Sequence, residues 1–173
     1  MKTIQKKICL LGDFSVGKTS LVRQFVEKTF SDEYLSTVGV KISKKSIELQ
    51  QDHDEAKLNL LIWDLAGGDD YSKVTSGYLA GAAGILMVCD ATRKSTIGML
   101  EMYSNQLKKI NKADLPAVLL VNKIDLTDLR EIKDEDIEAI SEKLQITWHL
   151  TSAKTGEGVE TGFETLANLI ISN

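Results

Sequence analysis

A phosphate-loop pattern constrains the fold more than any other feature of this sequence. The pattern, G-x-x-x-x-G-K-[ST], occurs in the segment Gly12-Asp13-Phe14-Ser15-Val16-Gly17-Lys18-Thr19. An apolar run at 7–11 predicts a strand before it, and apolar spacing at 18–28 predicts a helix after it, which is the context that the pattern requires. Glycines let backbone N–H groups turn toward phosphate oxygens, and the start of a helix adds partial positive charge. The segment therefore predicts a nucleoside-triphosphate site, with contacts from Asp13, Phe14, Ser15, Val16, Gly17, Lys18, Thr19 and Ser20.

Two side chains of this loop are candidates for the chemistry itself. Lys18 places a positive charge beside the terminal phosphates, and the Thr19 hydroxyl is an oxygen ligand of the kind that Mg²⁺ prefers. The alternative interpretation is a plain glycine turn that leads into a helix. We favour the nucleotide site because strand, loop and helix occur in the required order.

The composition fits one globular domain, residues 1–173. A chain of 173 residues is a single domain at roughly 100–200 residues per domain. Its 43% apolar and 27% charged residues exclude a disordered or collagen-like chain, and its net charge of −4 argues against nucleic-acid binding. Cys9 and Cys89 lie in apolar runs, so we expect two small buried side chains in a reducing compartment.

Strand and helix patterns alternate along the chain, which favours an α/β fold. We predict strands at 7–11, 38–50, 57–64, 84–90, 117–121 and 145–151, and helices at 18–28, 95–110, 134–144 and 159–171. Residues 51–55 are predicted to be a polar hairpin tip. The expected architecture is that of a P-loop NTPase, a mixed and mostly parallel six-stranded sheet flanked by about five helices. Ligands of such folds bind beyond the carboxyl ends of the strands.

A second motif, Asp64-Leu65-Ala66-Gly67, ends one of the predicted strands. The Asp64 carboxylate is placed to hold Mg²⁺, directly or through water, and Gly67 can bring its backbone N–H to a γ-phosphate because it has no side chain. Alone, this spacing is weak, since aspartate and glycine are common where strands end. The phosphate loop upstream makes it informative.

Two further segments indicate which base is bound. Asn122-Lys123-Ile124-Asp125 and Thr151-Ser152-Ala153-Lys154 each follow a predicted strand. A carboxylate at Asp125 accepts from the N1–H and N2–H₂ donors of guanine, which adenine does not present. Ala153 is the candidate N–H donor to O6, and the stem of Lys123 can lie along the base. The alternative for each segment is a charged turn after a strand. Together they predict guanine contacts from Asn122, Lys123, Asp125, Ser152, Ala153 and Lys154.

In this order the segments resemble those of the Ras superfamily of small GTPases, and within it the Rab branch, over residues 7–171. Residues 34–40 look like the first switch of Rab proteins, and residues 63–67 and 75–82 look like the second. The resemblance implies that Thr37 is a second protein ligand of Mg²⁺, and that Phe30 packs against guanine. It also implies a nucleotide contact from Tyr34. A GTP/GDP switch is then expected, read out by loops around 31–42 and 65–78.

The sequence departs from this family where hydrolysis is concerned. Gly68 stands where most relatives carry the glutamine that orients the attacking water, and Phe14 occupies a position that is usually small. With Lys18, Thr37, Gly67 and Gly68 as the catalytic set, we predict slow intrinsic hydrolysis. The alternative is that another group replaces the glutamine, from Asp69, Asp70 or a partner.

Partner and location are less constrained. Lys41-Ile42 replaces the Asp-Phe pair usual in Rab proteins, which alters the surface expected to bind effectors, an exchange factor and an activating protein. The final residues offer no cysteine for prenylation, and no apolar run is long enough to cross a bilayer. We therefore expect a cytoplasmic monomer with no lipid anchor of its own, which reaches membranes only through a partner or a further tail.

Two alternative functions follow from these residues. The first is a GTP-binding scaffold, or a switch driven by exchange, with negligible hydrolysis; Gly68 and Phe14 favour it. The second is a P-loop nucleoside kinase, which is disfavoured because the sequence has no arginine-rich lid.

Overall fold

A computed structural model gives the fold, and it describes residues 2–33, 35–51, 54–65 and 76–173. Six strands form one sheet, and in chain order they are β1 (Lys2–Gly12), β2 (Val40–Gln51), β3 (Asp54–Leu65), β4 (Ala82–Asp90), β5 (Ala117–Asn122) and β6 (Thr147–Leu150). Their order across the sheet is β2-β3-β1-β4-β5-β6. Among the strand pairs of the described residues, β2–β3 alone is antiparallel, because a hairpin joins these two strands. The predicted mixed, mostly parallel sheet is confirmed.

Helices cover both faces of this sheet. Within the described residues they are α1 (Lys18–Glu27), α2 (Ser95–Lys109), α3 (Asp134–Leu144) and α4 (Val159–Ser172). Residues 76–79 are also helical, and Thr127–Leu129 form a short 3₁₀ turn. Without the 3₁₀ turn, five helical segments of the described residues thus flank the sheet, in agreement with the predicted number.

The core has two halves, one on each face of the sheet. In the first, α1 and α4 pack together through Phe25 and Phe163, whose rings stack with centroids 4.1 Å apart. In the second, α2 and α3 bury side chains such as Tyr103 and Ile137. The central strands are buried on both faces, as parallel strands between helices must be. Both halves hold the ends of the strands in place, and the loops that contain the sequence motifs begin at these ends.

Both cysteines lie inside this core, as predicted. Cys9 on β1 and Cys89 on β4 are fully buried free thiols. Burial raises the pKa of each thiol to about 12, against an opposing effect of Lys7 on Cys9. They therefore behave as small apolar side chains.

Several strand boundaries differ from the sequence prediction: β2 begins at Val40 rather than residue 38, β4 begins at Ala82 rather than residue 84, and β6 spans Thr147–Leu150 rather than 145–151. The larger differences are at β1 and at the β2–β3 hairpin. β1 begins at Lys2 rather than residue 7, because it continues to pair with β3 and because Ile4 packs on the core. The β2–β3 ladder continues to the pair Gln51–Asp54, so the polar residues predicted to form the hairpin tip are mostly strand. An antiparallel backbone ladder needs N–H and C=O groups, and it tolerates polar side chains. Residues 52 and 53 lie outside the described residues.

This topology gathers several loops at one edge of the sheet. The parallel strands β1, β3, β4, β5 and β6 all end there, and the loops that follow them contain the motifs singled out above. Within the described residues, none of the helices has the length and hydropathy to span a bilayer.

Candidate nucleotide-binding site

A cavity of about 290 Å³ opens at this edge of the sheet. Its walls come from the loop after β1, the start of α1, the chain before β2, and the loops after β5 and β6. The structure brings most of the predicted site residues into its lining: Phe14, Ser15, Gly17, Lys18, Thr19, Ser20, Phe30, Thr37, Asn122, Lys123, Asp125, Ala153 and Lys154. Segments far apart in sequence thus meet around one space.

Four other predicted residues are not part of this lining but lie next to it. Asp13 Oδ1 accepts a hydrogen bond from the Phe14 amide at 2.7 Å, and Val16 is buried in the core. Asp64 is bonded to Thr19 by a short hydrogen bond, and Ser152 contacts Asp125. Three of them are thus hydrogen-bonded to residues of the lining, and Asp64 is also one of the predicted metal ligands.

Seven lining residues were not predicted individually as site residues, although five of them lie in the predicted switch segments: Arg23, Ser31, Asp32, Glu33, Leu35, Leu65 and Leu126. Arg23 could have been found, since it lies one helical turn after Thr19 on α1 and therefore shares its face. The others belong to loops and strand ends whose place depends on the fold. Among them, the Asp32 carboxylate lies 3.7 Å from Lys154 Nζ, across the mouth of the cavity.

Gly17 is required by close packing inside the phosphate loop. It has a positive φ of 99°, and a Cβ atom there would lie 2.3 Å from Asn122 Nδ2. Both ends of that amide are bonded, because Nδ2 donates to Val16 O at 3.0 Å and Oδ1 accepts from the Ala153 amide at 3.2 Å. Asn122 therefore ties the phosphate loop to the loop after β6, and only glycine leaves room for it.

Lys18 is a buried cation held inside the phosphate loop. Its Nζ donates to Gly12 O at 2.8 Å and to Asp13 O at 3.0 Å. Burial lowers the pKa of Lys18 to about 8, against the opposing effect of the carboxylates of Asp64 and Asp13. The loop thus holds a positive charge that is poorly hydrated, in a setting suited to an anion.

Oxygen atoms of three predicted metal ligands converge beside this lysine. Thr19 Oγ1 lies 2.6 Å from Thr37 Oγ1 and donates a short hydrogen bond to Asp64 Oδ2. Asp64 is 1% exposed, and its Oδ1 has no hydrogen-bond partner among the described residues. Burial raises the pKa of Asp64 above its ordinary value, although the bond from Thr19 opposes this. A buried carboxylate oxygen without a partner, beside two hydroxyls, is a donor set that fits Mg²⁺.

The base-recognition residues lie at the opposite end of the cavity. Asp125 lines the cavity, and its Oδ1 accepts from Ser152 Oγ at 2.7 Å, so the serine orients the carboxylate. Lys123 Nζ donates to Ser15 O at 2.8 Å, which draws its stem across the loop. The Ala153 amide already donates to Asn122, so a guanine O6 would share this donor.

Three predicted site residues lie outside the described residues: Tyr34, Gly67 and Gly68. Asp69 and Asp70, named as possible replacements for the glutamine, lie outside them too. Phe14, by contrast, is described, and its side chain is 48% exposed at the cavity.

The fold and the cavity define a P-loop nucleotide-binding protein of the α/β class. Comparison with known proteins adds the family: the Ras family profile matches residues 7–172. Rab-8B of Homo sapiens is 34% identical over 166 residues, which cover 96% of this chain and 78% of that protein. RABA1g of Arabidopsis thaliana is 37% identical over 157 residues, which cover 91% of this chain and 70% of that protein. Rab-1 of Theileria annulata is 33% identical over 165 residues, which cover 95% of this chain and 73% of that protein.

The chain therefore belongs to the Ras family, and its similarity to Rab proteins makes it a Rab-like member of the Ras superfamily. Proteins of this family are GTP-binding switches that hydrolyse GTP. In general they bind guanine nucleotide with Mg²⁺, and they bind regulators and effectors. This family membership confirms the resemblance drawn from the motifs.

Proposed function

We propose that this chain binds GTP and GDP in the cavity described above, with Mg²⁺, and that it is a switch with slow intrinsic hydrolysis. Residues 1–173 act as one GTPase domain in this proposal. The observation that carries it is the contact of Thr37, from the chain before β2, with Thr19 at the start of α1. This contact attaches the chain before β2 to the start of α1, where the terminal phosphates and the metal would meet.

The phosphates are assigned to the loop of residues 12–17 and to Lys18. The backbone N–H groups of that loop and the ammonium of Lys18 bind the anion, whose charge compensates for the burial of the lysine. Thr19, Thr37 and Asp64 would hold Mg²⁺ through their oxygen atoms. When bound, Mg²⁺ supplies positive charge that stabilises the oxygens of the terminal phosphates.

Guanine is assigned to the end of the cavity that contains Asp125. The carboxylate accepts from N1–H and N2–H₂, and Ser152 holds it in one orientation. The Phe30 ring, which lines the cavity, packs on the base, and the stem of Lys123 lies on its other side. An adenine base does not supply these two donors, and a carboxylate that the bound base covers without pairing is costly.

The switch in this proposal is the release of Thr37. While GTP is bound, Thr37 stays beside Thr19, and residues 31–42 are held over the nucleotide. After the γ-phosphate leaves, the loop loses this attachment and relaxes, together with residues 65–78. Partner proteins then distinguish the two states by the surface of these loops.

That surface has an apolar part among the described residues. Four apolar side chains of the first switch and β2 are exposed: Leu35, Val38, Val40 and Ile42. Next to Ile42, Lys41 brings a positive charge where Rab proteins usually carry an acid. We propose that effectors and regulators bind here to the monomer, and that their surfaces are complementary to an apolar patch flanked by a cation.

Slow hydrolysis is proposed because Gly68 has no side chain to orient the attacking water. In addition, the exposed Phe14 ring stands at the phosphate end of the cavity, where it obstructs a group inserted by a partner. The chain should therefore stay in its GTP state for longer than relatives that have the glutamine.

The test is single-turnover hydrolysis of preloaded GTP by the wild type and by Gly68→Gln. We expect the glutamine variant to be faster by about tenfold or more, since it restores a water-orienting amide. Gly98→Gln is the matched control, because this position is exposed on α2, outside the switch segments, and a Cβ atom there meets no atom within 4 Å. Equal rates for the wild type and Gly68→Gln would contradict slow hydrolysis through Gly68, and would assign the water to another group.

The same experiment decides the second candidate function, an exchange-driven switch or scaffold. Gly68 and the exposed ring of Phe14 favour it. If neither the wild type nor Gly68→Gln hydrolyses GTP while both retain it, this candidate replaces the first.

A further inference from the structure

Every carbonyl of the phosphate loop from Gly12 to Val16 accepts a hydrogen bond from a side chain. Lys18 bonds to the first two carbonyls, those of Gly12 and Asp13. Lys123 bonds to the fourth, Ser15 O, and Asn122 to the fifth, Val16 O. The third carbonyl, that of Phe14, is held by a residue outside all the motifs. Arg93 Nη2 donates to it at 2.6 Å.

Arg93 is itself anchored at a buried acid. Its Nε donates to Asp90 Oδ2 at 3.1 Å, and Lys123 Nζ lies 2.8 Å from the same oxygen. The other oxygen, Oδ1, accepts from the amide and the hydroxyl of Thr92 at 2.9 and 2.7 Å. Asp90 is 1% exposed and ends β4, so it is fixed by the sheet and fully bonded. Although burial raises the pKa of Asp90, the bonds from Lys123 and Thr92 outweigh this and lower it.

The arrangement is a fork with Asp90 at its base. Its two arms, Arg93 and Lys123, reach successive carbonyls of the phosphate loop, those of Phe14 and Ser15. A carbonyl held outward turns the plane of its peptide, so that the next N–H points toward the phosphates. A guanidinium suits this position because its rigid geometry holds two acceptors at once.

We propose that Arg93 is a positioning residue for nucleotide binding, which together with Asp90 holds the phosphate loop in the conformation that binds the β-phosphate. This inference deepens the proposed function and rests on it. Arg93 acts through the loop and is assigned no contact with the nucleotide. Its removal should therefore loosen nucleotides that have a β-phosphate and spare contacts with the base.

The test measures the dissociation of fluorescent GDP in Mg²⁺ from the wild type, Arg93→Ala and Arg93→Lys. We expect Arg93→Ala to release GDP about tenfold faster, since a charge-assisted hydrogen bond to a loop carbonyl is lost. Arg93→Lys should fall between the two, because an ammonium keeps the charge but cannot form the same fork. Lys94→Ala is the matched control: it removes the same charge one residue later, from a side chain that pairs with Asp136 and is 59% exposed.

A second variant separates positioning from a simple effect of charge. Asp90→Asn makes the site more positive, so an effect of charge alone predicts slower release of GDP. Positioning predicts faster release, because both arms of the fork lose their anchor. Slower release from Asp90→Asn would overturn the proposal.

Competition with GMP separates positioning from general loss of structure. GMP has no β-phosphate, so its affinity should change by less than about twofold in Arg93→Ala, while the affinity for GDP falls about tenfold. Equal losses for both nucleotides, or wild-type release of GDP from Arg93→Ala, would overturn the role of Arg93. If the wild type retains no GDP at all, the proposed function itself fails, which is a different result.

Discussion

In the proposed site, a single side chain determines which base the cavity accepts. That side chain is Asp125, whose carboxylate offers acceptors only and is oriented by Ser152 at 2.7 Å. A pair of adjacent donors on the ligand satisfies such a group. Because the interaction depends on the pattern of donors and acceptors, replacing one carboxylate oxygen with an NH₂ group should alter the preferred base.

Asp125→Asn is the variant that makes this change. Its amide presents one acceptor and one donor, and the donor faces the N2–H₂ group of guanine. We expect the affinity for GDP to fall by about a hundredfold, and xanthosine diphosphate, which has a carbonyl at that position, to bind more tightly than GDP.

Titration with both nucleotides measures this exchange of preference. Asp128→Asn is the control, since it removes the same charge from an exposed residue three positions later. Retention of wild-type preference for GDP by Asp125→Asn would show that another residue contacts the base.

For individual residues, the sequence predicted the positions that belong to recognised motifs. The positions of Lys18, Thr19, Asp64 and Asp125 follow from motif spacing after predicted strands, and the structure gathers them around one cavity. Arg93 could not be predicted in this way, because its contact with Phe14 joins residues 79 positions apart without any repeated spacing. Such contacts depend on which strands are neighbours, and β1 lies beside β4 only in the folded sheet.

Among the elements, the helices were predicted more accurately than the strands. The start of α1 follows from the phosphate loop, and the first turn of α3 is marked by Asp134, Glu135 and Asp136. The ends of β1 and of the β2–β3 hairpin were predicted too short. Their polar residues pair through the backbone, which leaves no periodic apolar signal to read.

The junction between β6 and α4 depends on Gly158, which precedes the helix. Gly158 has a φ of 69°, and a Cβ atom there would lie 2.0 Å from Leu150 O. Gly81 has nearly the same backbone, with a φ of 73°, but a Cβ atom there meets nothing within 4 Å. Alanine at Gly81 would therefore destabilise the fold through the left-handed backbone alone, whereas alanine at Gly158 would add a steric clash.

We expect Gly81→Ala to lower the free energy of unfolding by about 1 kcal/mol. Gly158→Ala should lower it by at least about 2 kcal/mol more, since the backbone of β6 must shift. Urea unfolding of both variants measures the difference. Equal losses would mean that the end of β6 moves away without cost.

Over the whole molecule, the nucleotide site joins parts that the sheet alone does not hold together. The cavity is lined by the chain before β2 and by the loops after β1, β5 and β6. A ligand that contacts all of them binds the folded chain and has no equivalent site on the unfolded chain. Its binding energy therefore adds to the stability of the entire fold, by mass action.

The two buried thiols make this coupling measurable without any added label. Cys9 and Cys89 are the only cysteines of the sequence, and they lie on the two strands at the centre of the sheet. A thiol reagent reaches them only when the core opens, so the rate of modification counts opening events. We expect GDP with Mg²⁺, at a hundred times its dissociation constant, to slow modification about a hundredfold. A modification rate that nucleotide leaves unchanged would contradict this expectation. If nucleotide slows the reaction, the two native thiols report how often the centre of the sheet opens to solvent.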